Sequence, residues 1–416
     1  MKKFEFTGET KTINLLFGTA TLHRIRAVAK FGFVEIGELG GWIEKEENLS
    51  HEENAWVYGD AKVYGNAKVY GNAEVRDKAE VCGNAIVYGN AKVGENAKVQ
   101  DKAEVCGNAI VYGNAKVGED AEVYDNAEVC GNAEVCGNAQ IYDNAEVYDK
   151  AEVYGNAQIY GNAKVRADAK VYGKAEVCGK AGVRGKAEIW DDAKVYDNAI
   201  VCEDANVYGN AQIYGNAKVR ADAKVYGKAG VCGKAEVRGK AEIRDDANVY
   251  GNANVYGNAK VYDNAKVWDD AKVYDNAEVC GNAKVWEDAK VYVNAKVYSN
   301  AEVYSNAKVY GNAKVYGNAE VCGKAEVCGK AEVFSTRHVL VIGTIGSQDD
   351  FATFYRDKDN EITVKCGYFL DKIDKFLEKV TETHGDSNYA LVCRAAVEAA
   401  RLQIDLSNEV TKDADE

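Results

Sequence analysis

Four histidines, His23, His51, His338 and His384, are the groups in this chain best suited to general-base or proton-relay chemistry near neutral pH. Twelve cysteines are the matching soft nucleophiles and metal ligands. Their placement works against both uses. No histidine lies between Ala55 and Phe334, whereas ten cysteines do: Cys82, Cys106, Cys130, Cys136, Cys178, Cys202, Cys232, Cys280, Cys322 and Cys328. A thiol with no imidazole or second thiol beside it is neither an activated nucleophile nor part of a metal set. His338, Cys366, His384 and Cys393 share one terminal stretch, but their spacing matches no zinc or thiol-protease pattern. Gly343-Thr344-Ile345-Gly346-Ser347 is too short for a phosphate loop and has no lysine. The sequence therefore predicts no catalytic, cofactor-binding or metal-ligating residue, and no cofactor. What the chain offers in quantity is aromatic: 24 tyrosines stand at one recurring position, and the elements that position them decide what they can do.

That position belongs to a hexapeptide, Val-Tyr-Gly-Asn-Ala-Lys and close variants. Alanine recurs every six residues from Ala55 to Ala331, 47 times without a slip, and Val or Ile follows two residues after each. Such a fixed short period outweighs local propensity. On a strand, Ala61 and Val63 point to the same side and Lys62 to the other. Gly59-Asp60 is then a corner, built from residue types that tolerate left-handed backbone. A helix is excluded, because a period of six scatters apolar residues around a 3.6-residue turn and glycine recurs too often. Short strands with an inward valine and an inward alanine bury those groups only by coiling.

The pattern aliphatic-x-x-x-small-x resembles the hexapeptide repeat of left-handed β-helix proteins, including the bacterial hexapeptide acyltransferases. The resemblance implies three hexads per coil, a triangular prism of about 15 coils, and parallel strands stacked roughly 4.8 Å apart in a rod about 75 Å long. Charge at the outward Lys/Glu position supports coiling without fixing the count. Neighbours 18 residues apart are opposite in sign in 16 pairs and like in 9, but neighbours 12 apart score 15 to 8, so two hexads per coil stays open on charge alone. The block Tyr154–Asp192 returns at Tyr208–Asp246, an offset of 54 or three whole coils, whereas Val81–Val93 returns at Val105–Val117 with an offset of 24. No two repeat cysteines are 12 or 18 apart, so no disulfide ladder is expected.

Hexapeptide acyltransferases use a histidine base near a coil surface. Here the repeats contain none, and no inserted loop builds an acceptor pocket, so the chain departs from that activity where it matters. The ends are similar to uncharacterised repeat proteins of phages, prophages and gut bacteria. These share a Gly-Gly-Trp-Ile-Glu entry (Gly40–Glu44), the hexads, and an end like His338–Gly343 followed by Phe351–Tyr355. This second resemblance supplies a setting and no mechanism.

Four regions follow: an N-terminal β cap over 1–54, the solenoid over 55–334, an α+β module over 335–406 and an acidic tail over 407–416. In the cap, Phe4-Glu5-Phe6, Ile13–Phe17 and Thr21–Val28 read as short strands, and Gly37–Ile43 as a tight loop. Trp42 and Leu49 are expected to cover the open end of the core, since an uncovered strand edge invites a second chain. In the module, His338–Ile345, Phe351–Tyr355 and Ile362–Cys366 read as strands. Leu370–His384 reads as a helix with Leu370, Ile373, Phe376, Leu377 and Val380 on one face. Asn388–Leu406 reads as a second helix with Tyr389, Val392, Val397 and Leu402 or Ile404 inward.

A net charge of −14 argues against direct binding to nucleic acid or an anionic membrane, and no run reaches membrane-spanning length. The start has no apolar h-region, and free thiols in number fit a reducing compartment, so a cytoplasmic location is expected. The outward tyrosines either stack on one another between coils or also form a recognition stripe. One uncharged ladder includes Tyr196, Tyr214, Tyr250, Trp268, Trp286 and Tyr304, which are the candidate partner-binding residues. A second ladder gathers five of the six repeat arginines. The sequence thus predicts a non-enzymatic, cytoplasmic binding or spacing rod, an accessory of a phage or prophage that engages a host protein through its aromatic faces or its terminal module. Alternatives are an acidic nucleic-acid mimic and, against the missing histidine, an acyltransferase. The related transferases are often trimeric, while the faces here carry no evident trimer code, so a homo-oligomer stays open.

Overall fold

The computed structural model describes residues 2–407, which leaves all of the acidic tail except Ser407 outside the described residues. The chain forms two compact units, Met1–Gly209 and Asn210–Glu416. The first holds 26 two-residue repeat strands, Trp56–Val57 to Asn206–Val207, and the second holds 21, Gln212–Ile213 to Glu332–Val333. In both, strands pair parallel with partners 18 residues on: Lys62 with Glu80 and Lys68 with Ile86 in the first unit, Gln212 with Gly230 and Lys218 with Glu236 in the second. Each coil therefore takes three hexads. The ambiguity left by charge is resolved by ion pairs that span one coil, such as Lys62–Glu80 at 2.7 Å, Lys194–Glu176 at 2.8 Å and Lys296–Glu278 at 2.9 Å.

The inward alanine and valine of every hexad are fully buried. Along each side the coils are held by backbone bonds: Lys62 N–H donates to Ala79 O (2.9 Å), Tyr64 N–H to Val81 O (3.0 Å) and Asn66 N–H to Gly83 O (2.7 Å). Three donors per hexad are committed to the next coil, and proline at any of them would remove a rung. The first corner residue is left-handed, as at Gly137 with φ 76°, where a Cβ would lie 2.6 Å from Gly155 N.

Asparagine at the second corner position has a different role from the one its turn propensity suggests. Its side-chain amide bonds to the asparagine one coil on, in a continuous run Asn54–Asn72–Asn90–Asn108–Asn126 with spacings of 2.9–3.0 Å. Val293 breaks the corner rule. It is β-branched, 37% exposed, and held at φ 63°. Left-handed backbone costs a side-chain-bearing residue about 1–2 kcal/mol, against about 0.5–1 kcal/mol of entropy lost by fixing a glycine. Val293→Gly is expected to raise stability by about 0.5–1 kcal/mol in urea melts, and a lower midpoint would refute the strain.

The N-terminal cap is one hairpin, not three short strands: Phe4–Leu15 pairs antiparallel with Gly18–Ala27. Gly37–Ile43 is not simply a loop, because Leu39–Ile43 is a strand on the first coil, with Trp42 N–H donating to Ala61 O at 2.9 Å. Gly40 and Gly41 cross that coil so closely that a Cβ would come 2.8 Å from Val57 O and 2.6 Å from Ala61 O, with Ile25 of the hairpin 2.5 Å away on Gly40. Ile43 and Leu49 stack on Val63 and Val69 and cover the core. Trp42 does not: it pairs with Lys62, the outward register, and its ring lies against Ala20 and Leu22 of the hairpin. Lys3 closes the same end, its buried ammonium donating to Ala55 O at 2.8 Å.

In the second unit the terminal module is a four-stranded antiparallel sheet with two helices, α1 (Ile373–His384) and α2 (Asn388–Gln403). Phe369–Lys372 is its fourth strand, so α1 starts later than the sequence suggests and Leu370 is exposed. In α2 the inward face is Ala390, Cys393, Ala396, Val397 and Ala400, with Ile404 just beyond, while Tyr389, Val392 and Leu402 face out. Small side chains let the helix lie close on the sheet, and that close approach outranks the larger apolar groups. The strand Asp350–Arg356 caps the last coil. Tyr355 Oη donates to Cys328 O (3.1 Å), Lys358 N–H to Lys330 O (3.0 Å), and Thr353 Oγ1 accepts from Glu326 N–H (2.9 Å). Among the described residues no helix is long and apolar enough to cross a membrane.

Candidate partner-binding surface

The outward aromatic position is the last residue before each left-handed corner. Successive coils place these rings one coil spacing apart, close enough for parallel stacking. In the second unit Tyr250, Trp268, Trp286 and Tyr304 form an unbroken stack, with centroids 5.5, 4.9 and 4.4 Å apart and planes within 7°. All four are half-buried. Tyr214 is on the same ladder, but Cys232 intervenes before Tyr250. Tyr196 belongs to the first unit, next along its ladder from Cys178. The structure thus gathers four of the six sequence-nominated residues.

Since the rings face one another, the stack presents edges and polar tips outward. Tyr304 Oη donates to Glu320 at 3.1 Å. A hydrogen bond with Cys322, then burial, push its phenol pKa up, so it remains a donor at neutral pH. A parallel stack, Tyr256–Tyr274–Tyr292–Tyr310, has spacings of 4.8–4.9 Å and was equally readable from the 18-residue interval. Sequence reasoning missed the hairpin tip. Leu16 and Phe17 form its two-residue turn and are 90% and 92% exposed, where turn chemistry favours glycine and asparagine.

No protein-family model and no curated protein matches the chain.

The groups with catalytic potential are dispersed and occupied. His51 accepts from Lys3 N–H at Nδ1 (3.1 Å), donates from Nε2 to Glu46 (2.7 Å) and stacks on Phe4, so both nitrogens serve the cap. His23 packs against Phe6 on the hairpin. His338 is buried under the module, and His384 ends α1 beside Tyr389. A cleft of about 200 Å³ does bring Cys366, His384 and Cys393 together. Burial and then the Asp350 carboxylate push the Cys366 thiol up to about 11, and burial raises Cys393. Both are therefore protonated, poor nucleophiles at neutral pH. His338 is not part of that cleft. Among the described residues no three histidine, cysteine or acidic side chains converge as a metal site.

Proposed function

We propose that this chain is a non-enzymatic binding scaffold that engages a protein partner through the edge of the Tyr250–Trp268–Trp286–Tyr304 stack. The unbroken stack is the observation that carries this reading. Tryptophan and tyrosine supply large contact area with little side-chain entropy left to lose, and here stacking has already fixed their rotamers. The exposed Leu16 and Phe17 tip is a second apolar contact of the kind a binding protein presents. A cytoplasmic setting fits twelve unpaired thiols, and an accessory role of a phage or prophage, acting on a host protein, fits the resemblance of the ends. Mimicry of nucleic acid is less favoured, because many outward carboxylates are already paired with lysines one coil away.

The test is affinity capture from the native host by the full chain and by Trp286→Ala. The variant is expected to lose the captured partner by about tenfold or more, in line with a hot-spot aromatic. A parallel capture with residues 335–416 deleted separates the stack from the terminal module. Loss of the partner only in the deletion would move the binding surface to the module and overturn the assignment.

A further inference from the structure

Most outward strand positions hold a long side chain. Gly182 is an exception in the first unit. It lies in register between Lys164 one coil before and Ile200 one coil after, and a Cβ built there meets nothing within 4 Å. Gly230, at the same place within its hexad but in a different sheet of the second unit, is different: its Cβ would lie 2.6 Å from Asn248 Oδ1, so a neighbour already fills the space. Losing a side chain therefore does not by itself open a hole. At Gly182 it does, and the result is a notch of about 430 Å³, within the range of small-molecule sites.

Every charged residue on the rim of that notch is cationic, and the neutral amides Asn162 and Asn198 complete its polar lining. Lys164, Arg166, Lys180 and Arg184 line it, and no carboxylate does, on a chain whose net charge is −14. Lys164 is paired with Glu146 at 2.8 Å. Arg166 is fixed in place by a hydrogen bond to Tyr148 Oη (3.1 Å) and by lying 6.0 Å over that ring. Lys180 and Arg184 are exposed and form no ion pair among the described residues. The two arginines follow one another along one ladder, roughly 4.8 Å apart at the backbone, so two planar forks can reach one anion. The floor is bare backbone at Gly182 and the half-buried side chain of Ile200.

We propose that this notch binds a small organic phosphate. The phosphate is held by Arg166, Arg184 and Lys180, and a compact apolar body lies over Gly182 against Ile200. A phosphate monoester carries nearly two charges and three acceptor oxygens, which matches three converging cations better than a carboxylate does. The missing side chain lets the body approach the backbone. This site is in the first unit and does not depend on the aromatic stack of the second.

Calorimetric titration with phenyl phosphate, inorganic phosphate and benzoate tests the assignment. Phenyl phosphate should bind about tenfold or more tightly than either of the others, because only it uses both the cationic rim and the apolar floor. Gly182→Glu restores the residue type that many hexads carry at this position and puts a carboxylate into the notch. It should leave the melting temperature unchanged or higher and abolish phenyl phosphate binding. Arg184→Gln, a change at an exposed side chain, should weaken binding about tenfold or more, while Arg238→Gln in the second unit should leave it unchanged. Equal affinity for phenyl phosphate and inorganic phosphate would reduce the site to counter-ion attraction, and undiminished binding in Gly182→Glu or Arg184→Gln would place the ligand elsewhere. Either result overturns the proposal.

Discussion

Tyr355→Ala is expected to cost about 3–5 kcal/mol and to release the terminal module from the last coil. Tyr355 is fully buried between the module's sheet and the end of the solenoid, with its hydroxyl on Cys328 O and 3.4 Å from Cys328 Sγ. Truncation removes the ring and leaves that carbonyl buried without its donor. Tyr355→Phe keeps the ring and should cost only about 1–2 kcal/mol, so the pair of variants separates packing from the hydrogen bond. Once the module lifts, Glu326 and Lys358 lose their bonds to Thr353 and Lys330, and the last coil presents an unpaired strand edge. Hydrogen exchange at those two amides should accelerate, and light scattering should detect end-to-end association. Unchanged exchange in Tyr355→Ala would mean that this residue does not anchor the module.

Acidification from pH 7 to pH 4 is expected to destabilise the same end through His338. This imidazole is 2% exposed, accepts from Phe334 N–H at Nδ1 (3.2 Å) and meets the Phe334 ring edge-on. Burial first, and then the Arg356 guanidinium, lower its pKa from 6.5 to about 4, against an opposing pull from Asp405. The unfolded chain takes up a proton near pH 6.5 and the folded chain only near pH 4. Stability is therefore greatest above pH 6.5, falls as pH drops through that interval, and stops falling on this account below about 4. At about 1.4 kcal/mol per pH unit the loss over that interval reaches at most ~3.5 kcal/mol. Asp357 acts in a lower window. Burial would raise its carboxyl, but hydrogen bonds from Lys372, Thr363 and the N–H groups of Asp359 and Glu361 outweigh burial and hold it below the usual 3.8. The stability it contributes is present above that value and is lost only as pH falls below it. Urea melts at pH 7, 5.5 and 4 on the native chain and His338→Gln check the assignment. The variant should lose most of the slope between 6.5 and 4, and an unchanged slope would assign it to other groups.

The solenoid was legible because its pattern is local and redundant. Ala61 and Val63 face inward for the same reason as every later pair, and an error in one hexad would be contradicted by its neighbours. The candidate surface was legible to the same extent: an 18-residue interval puts Tyr250, Trp268, Trp286 and Tyr304 on one ladder, where their rings stack. The ends were read less well. Trp42 looked like a plug, but it sits on the outward register and is covered by a hairpin from elsewhere in the chain. For the second helix the sequence predicts Tyr389, Val392, Val397 and Leu402 or Ile404 inward; Val397 and Ile404 are buried, but contact with the sheet selects alanines in place of Tyr389, Val392 and Leu402.

The amino-acid order alone therefore determined the coil, its corners, its buried pair, and the presence of N-terminal strands and a C-terminal α+β module. Each of these follows from side-chain alternation and backbone preference within a few residues. Only the tertiary structure decided the number of hexads per coil on grounds other than resemblance, the asparagine ladders, the way the ends are closed and the notch at Gly182. All four depend on which atoms, distant in sequence, come to lie one coil or one sheet away, and a glycine becomes a cavity or a close contact according to what stands across from it.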